Sequence, residues 1–167
     1  MRRYLQALVT RHETIVDPVS NLKAGIGAVL GMVAVGALAA FTELPLLLAL
    51  LGATAVLLFG QPSSPLAQPI NVMGGYLIGT LICELAFEIF PGAWMAAAIA
   101  VGVAIVLMRT LRVTHPPAGA MPILGFGQGS HGVQLFTVVL IGSVILIAIA
   151  LVVHRIPPRR DYPHHLD

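Results

Sequence analysis

The stretch LKAGIGAVLGMVAVGALAAF (residues 22–41) decides the fold class of this chain. After Lys23 it contains only apolar residues and glycine, and it is as long as the roughly 20 residues that an α-helix needs to cross a bilayer. The whole chain of 167 residues has a mean hydropathy of +0.93 and 10% charged residues. A soluble domain carries roughly 25% charged residues. We therefore predict an integral membrane protein.

Five apolar segments are long enough to be membrane helices, at roughly 22–41, 45–60, 69–90, 93–110 and 133–154. The predicted fold is all-α, a polytopic transmembrane helical bundle of about five membrane segments in which proline-rich connections start half-helices. We divide the chain into an amphipathic cytoplasmic N-terminal segment (1–21), a transmembrane domain (22–154) and a tail (155–167) predicted to be disordered.

Basic residues predict the orientation. Arg2, Arg3, Arg11 and Lys23 place the N-terminus in the cytoplasm, in a bacterial inner (plasma) membrane. Five crossings then send Arg155, Arg159 and Arg160 to the opposite side, and we take this tail as an exception to the positive-inside tendency. The sequence pI of about 9.1 comes from the two ends of the chain, which favours contact with the lipid bilayer over nucleic acid.

Two polar, proline-rich connections share one pattern, a hydroxyl residue followed by proline and alanine. They are GQPSSPLAQP (60–69) and RVTHPPAGAMP (112–122). Proline suits the first turn of a helix, and a Ser or Thr before it can cap the free amides. A helix N-terminus carries a partial positive charge and free N–H donors, so two such ends predict a site for a small anion.

The candidate substrate-binding residues surround these two connections. They are Ser63, Ser64, Thr114, His115, Arg109, Gln61 and Asn71, with Pro65, Pro116, Pro117 and Gly119 as the motif positions. Simpler alternatives stay open at this point. The prolines can serve only to end one helix and start the next, His115 can serve only to bond a carbonyl group, and Arg109 can serve only as a topology anchor.

Ionisable groups within the apolar part are the candidates for proton coupling. These are His115, Glu84 and Glu88, because a buried carboxylate in a membrane is costly enough to indicate a function. The alternative is that both glutamates are solvated at a helix end. The histidines share no metal-ligand spacing, Cys83 is the only cysteine, and no nucleophile–base pair stands out, so we expect no metal, no cofactor and no enzymatic activity.

The stretches THPPAGA (114–120) and GATAVLLFGQPSSPLAQPINVMGG (52–75) resemble the HPP family of integral membrane proteins, named for its His-Pro-Pro motif, here His115-Pro116-Pro117. The resemblance covers most of residues 18–154. It implies nitrite transport, the activity assigned to members of the family, and a domain usually described with four spanning helices, one fewer than the five segments above.

Together, the residues and the resemblance predict membrane transport of a small monovalent anion, nitrite above all, by a homo-oligomer. The alternative is an accessory or scaffold membrane subunit without transport activity of its own, because the many small residues also suit a protein that only packs.

Overall fold

The computed structural model describes residues 6, 10, 16–42, 47–128 and 133–164, and every regular element of three residues or more in these ranges is helical. The α-helices are α1 (Pro18–Thr42), α2 (Leu47–Ala55), α3 (Pro69–Ile89), α4 (Trp94–Thr110), α5 (Met121–Gln128) and α6 (Val133–Arg155). A π-helical turn (Val56–Gly60) continues α2, and short 3-10 helices cover Pro65–Ala67 and Pro116–Ala120. The predicted all-α membrane bundle is confirmed.

Three of these helices are long and apolar enough to cross a membrane, at Pro18–Phe41, Pro69–Ile89 and Leu135–Arg155. Shorter apolar helices cover Ala49–Gly60 and Trp94–Thr110. The five predicted segments therefore all contain helix. Of the predicted N-terminal segment (1–21), only residues 6, 10 and 16–21 belong to the described part of the chain.

The structure adds a sixth segment, formed by the 3-10 helix at Pro116 and by α5. Close contacts follow α3 along its length, from Gly75 with His115, through Gly79 with Ala118, to the rings of Phe87 and Phe126 at 5.2 Å between centroids. The segment has 13 residues, and its two helical forms together span about 22 Å. It therefore runs beside α3 in the same direction.

This sixth segment brings the two ends of the described chain together. Helices α1 and α6 are antiparallel, because Gly27 lies near Val153 and Gly31 lies near Leu146. All six described lysine and arginine residues consequently lie at one end of the bundle, which we name the basic end: Lys23, Arg109, Arg112, Arg155, Arg159 and Arg160. The described tail lies at the same end of the bundle as the start of α1, so the expectation that it lies at the opposite end is wrong.

We expect reporter fusions to place both ends of the chain on the cytoplasmic side, because an even number of segments returns the chain to its starting side. Green fluorescent protein should fluoresce when fused before Met1 and after Asp167. Alkaline phosphatase should be inactive at these two positions and active when inserted near Gly92, in the turn between α3 and α4 at the other end. Active alkaline phosphatase after Asp167 would instead indicate an odd number of membrane crossings.

Glycines permit the close packing of the helices. A methyl group built on Gly27 would lie 2.7 Å from the Phe59 ring, and one on Gly142 would lie 2.7 Å from Leu51. Membrane helices associate through such small-residue contacts, because lipid supplies no hydrophobic force between them. The Gly27–Gly31 pair therefore serves packing within this chain.

The tail differs from the predicted disordered segment, because residues 156–164 pack on the bundle. Tyr162 is 6% exposed, and its hydroxyl donates to the Ala67 carbonyl oxygen at 3.1 Å. Burial raises the pKa of Tyr162, so the hydroxyl keeps the proton that it donates. The amide of His164 donates to Gln68 Oε1 at 2.8 Å. The buried ring of Tyr162 therefore anchors the tail on the bundle, although the proline-rich composition of the tail indicates disorder.

Candidate functional site

A pocket of about 750 Å³ with mixed polar and apolar lining opens at the basic end of the bundle. It is bounded by the start of α1, the π-helical turn with the SSP loop (residues 61–64), and the end of α6 with part of the tail. The lining residues are Val16, Ser20, Asn21, Lys23, Ala24, Val56, Phe59, Gly60, Gln61, Pro62, Ser63, Ser64, His154 and Arg160. Cationic, hydroxyl, amide and imidazole groups therefore converge in one cavity.

The first wall of the pocket is the capped start of α1. Pro18 occupies the first helical position, and Asp17 Oδ1 accepts from the Ser20 amide at 2.9 Å, as an N-cap carboxylate does. Arg160 from the tail donates to Ser20 Oγ at 3.2 Å and lies 3.7 Å from Asp17. Hydrogen bonds from Ser20 and the charge of Arg160 hold the pKa of Asp17 below its ordinary value.

Lys23 is the second cation of the pocket. Its Nζ donates to the carbonyl oxygens of Ile156, at 3.1 Å, and of Pro158. Among the described residues, no carboxylate lies within salt-bridge distance of it. With Arg160 partly neutralised by Asp17, the pocket keeps a net positive charge.

The SSP loop forms the second wall. Ser64 caps the 3-10 helix that begins at Pro65, by accepting from the Leu66 amide at 3.3 Å. Gln68 stabilises the loop, because its Nε2 donates to the carbonyl oxygens of Pro62 and Ser64, each at 2.9 Å. The loop therefore presents Ser63 and Ser64 to the cavity from a fixed backbone.

His154, near the end of α6, is the third wall. It is 2% exposed, and its Nε2 lies 2.8 Å from the carbonyl oxygen of Leu58 in the π-helical turn. Its ring is tilted against those of Phe59 and Tyr162, at centroid distances of 6.3 and 5.4 Å. Its Nδ1 is the buried side-chain atom that has no hydrogen-bond partner among the described residues.

The histidine of the HPP motif lies elsewhere, in a buried polar cluster. His115 is fully buried, with Nδ1 2.9 Å from the Leu66 carbonyl oxygen and Nε2 2.9 Å from Thr54 Oγ1. Because the carbonyl only accepts, Nδ1 carries a hydrogen, and in the neutral ring Nε2 is then the acceptor toward the Thr54 hydroxyl, which also lies 3.2 Å from the Leu50 carbonyl oxygen. Thr54 in turn lies 2.7 Å from the hydroxyl of Tyr76, which also reaches the Leu50 carbonyl oxygen at 3.2 Å.

The chain enters this cluster through a regular helix end. After α4, Arg112 adopts a left-handed conformation with φ 58°. The amide of Val113 bonds the Met108 carbonyl at 2.9 Å and that of Arg112 bonds Arg109 at 3.2 Å, the pattern of a Schellman motif. Arg112 therefore redirects the backbone so that residues 113–118 pack on the glycines of α3.

The structure brings together only part of the residue set predicted from the sequence. Gln61, Ser63 and Ser64 line the pocket. Asn71 donates to the Thr114 carbonyl at 3.2 Å, and Arg109 is exposed at the end of α4. Glu84 and Glu88 lie toward the other end of α3.

His115 lies apart from the pocket, and both of its ring nitrogens have hydrogen-bond partners inside the protein. Its roles in anion binding and proton coupling stay predictions. Pro65 and Pro116 each start a 3-10 helix as predicted, with Pro117 and Gly119 inside the second one. The two starts do not share the pocket, because none of residues 114–119 lines it.

Lys23, His154, Arg160 and Ser20 were missed as site residues. In the sequence, Lys23 and Arg160 indicate only the membrane orientation. His154 follows a long apolar run, which indicates a membrane helix and not a polar site. A signal existed, because a histidine that ends 20 largely apolar residues lies where a bilayer gives way to water.

Comparisons with known proteins agree with the architecture. The model of the family described as "HPP, transmembrane region" matches residues 13–163. Two Dictyostelium discoideum proteins, each named only as a transmembrane protein, are 35% identical over 129 and 125 residues, covering 72% and 70% of this chain. The matches cover 45% and 40% of those proteins, so the chain spans less than half of each. No solved structure matches. The chain is a member of the HPP transmembrane region family.

Proposed function

We propose that this protein transports a small monovalent anion, most specifically nitrite, through the pocket at the basic end. The observation that carries the proposal is the pocket itself, in which Lys23, Arg160 and the hydroxyls of the SSP loop face one cavity of a membrane protein. Nitrite is the anion that the resemblance to the HPP family implies.

The chemistry of the pocket favours a small anion. Hydrogen bonds between an anion and charged donors contribute about 1.5–3 kcal/mol each, which offsets part of the cost of removing water from the anion. Serine hydroxyls add neutral donors that suit the oxygen atoms of a planar oxyanion.

The location of the pocket supports a role in transport. The positive-inside tendency favours the cytoplasmic side for the basic end of the bundle. There the pocket is an entry or exit site rather than a site at the bilayer midplane. An oligomer of such narrow bundles is the assembly that we propose.

Flux into proteoliposomes tests this function. The wild type should move nitrite faster than empty vesicles do, and Lys23→Gln should lower the flux about tenfold, because one charged donor is worth about 1.4 kcal/mol or more. Arg159→Gln is the matched control, since Arg159 is an exposed cation of the tail that does not line the pocket.

Nitrate, formate and chloride should be tested in the same vesicles, because charge alone selects poorly among small anions. If the wild type moves none of these anions faster than empty vesicles do, the transport proposal is wrong, and the result favours the accessory or scaffold subunit. Equal losses of nitrite flux in Lys23→Gln and Arg159→Gln would show that transport does not depend on this pocket.

A further inference from the structure

His154 has an unused polar atom in the wall of the pocket. Its Nε2 points at a carbonyl oxygen, which only accepts, so in the neutral ring Nε2 holds the hydrogen and Nδ1 holds a bare lone pair. That lone pair is buried and has no partner in the described part of the chain. A buried polar atom without a partner destabilises the fold, and a proton or a ligand that reaches it removes this cost.

Positive charges dominate the surroundings of His154. The titratable and charged groups that face it among the described residues are Lys23 on α1 and Arg160 and Tyr162 in the tail. Asp17 pairs with Arg160. The adjoining π-helical turn contributes only Leu58, Phe59 and other uncharged residues. In the empty pocket, burial opposes a positive charge on the ring, and the charges of Lys23 and Arg160 oppose it further.

We propose that His154 carries a proton together with the anion, so that a small oxyanion such as nitrite and one H⁺ occupy the pocket as a pair. This inference rests on the anion transport proposed above. It assigns proton coupling to a residue that none of the sequence motifs indicates.

The coupling follows from charge. An anion seated beside Lys23 and Arg160 cancels the repulsion that these cations exert on a protonated ring, so anion binding and protonation strengthen each other. Hydronium gives up one O–H bond as the Nδ1–H bond forms, and water leaves. On release the proton returns to water, and the imidazole is neutral again.

The pair also removes an electrical cost. A lone anion that enters a cell moves against the membrane potential, whereas an anion and a proton together carry no net charge. The other titratable candidates do not reach the pocket. His115 has both nitrogens occupied, and Glu84 and Glu88 are not among the lining residues.

Calorimetry of the detergent-purified full chain tests the inference directly. Nitrite is titrated at pH 7 in two buffers of different ionisation enthalpy, which reports the protons taken up on binding. The wild type should take up roughly one proton per nitrite, less any fraction of His154 that is already protonated. His154→Gln should still bind nitrite, because its side-chain amide can donate to the Leu58 carbonyl, but it should take up no proton.

His164→Gln is the matched control, because His164 is an exposed histidine of the tail and should leave the proton count unchanged. In proteoliposomes, an inward proton gradient should raise the initial nitrite uptake by the wild type above that of empty vesicles, and it should not do so for His154→Gln. Proton uptake by His154→Gln equal to that of the wild type, or none by the wild type, overturns the inference and leaves anion transport standing. Failure of the wild type to bind nitrite overturns both.

Discussion

The Gly79→Val variant is expected to lose most of its folded protein. Gly79 on α3 faces the sixth segment, and a methyl group built on it overlaps the carbonyl oxygen of Ala118 and lies 3.2 Å from Met121 Cγ. A side chain can rotate away from such a contact, but a backbone oxygen moves only if its whole segment moves. Overpacking of this kind costs about 3 kcal/mol or more, which is roughly 10 °C in melting temperature.

The measurement is the monodisperse yield and the thermal melt in detergent. Gly102→Val is the matched control, because Gly102 also lies within a helix, on α4, and a methyl group built there meets nothing within 4 Å. The two substitutions change helix propensity equally, so the difference between them reports the contact with Ala118. A melting temperature of Gly79→Val within a few degrees of that of Gly102→Val would show that the sixth segment does not pack on α3.

The sequence predicts the helices well because hydrophobicity is a local property. Five apolar windows were long enough for membrane helices, and each contains a helix in the structure. The sixth segment escaped this test. Its helix α5 has only 8 residues and includes Pro122, Gly125 and Gly127, which lower its apparent hydropathy and interrupt its apolar run. Its place beside α3 depends on Gly75 and Gly79, which lie about 40 residues earlier.

The candidate site was harder to predict because its contacts are remote in sequence. Thr54 and His115 are 61 residues apart, and His154 and Leu58 are 96 apart. A polar residue in an apolar chain indicates that a partner exists, but it does not show whether the partner is a ligand or another part of the chain. The sequence therefore predicts a ligand-binding role for His115. The simpler alternative, that the histidine only bonds a carbonyl group, matches the bond that its Nδ1 makes to Leu66. The pocket could not be predicted because Arg160 of the tail forms part of its lining, and the prolines of the tail indicate disorder.

The His115→Ala variant is expected to lose stability before it loses any transport step. The substitution leaves the Leu66 carbonyl oxygen without its donor, opens a cavity against Tyr76 and removes the acceptor of Thr54. A stranded buried group costs about 1–3 kcal/mol and a cavity of this size adds a similar amount, so we expect a loss of about 4 kcal/mol, or roughly 10 °C in melting temperature. The thermal melt in detergent measures it.

A conservative variant separates this structural role from a role in anion binding. In His115→Asn the amide nitrogen can take the place of Nδ1 and keep the bond to Leu66, so its melt should fall between those of the wild type and His115→Ala. Thr54→Val removes the other bond to the ring and should also destabilise the protein. Thr110→Val, which alters an exposed helical threonine bonded to its own helix, should not. If His115→Ala melts like the wild type yet moves no nitrite, the histidine of the motif acts on the anion and the buried cluster does not hold the fold.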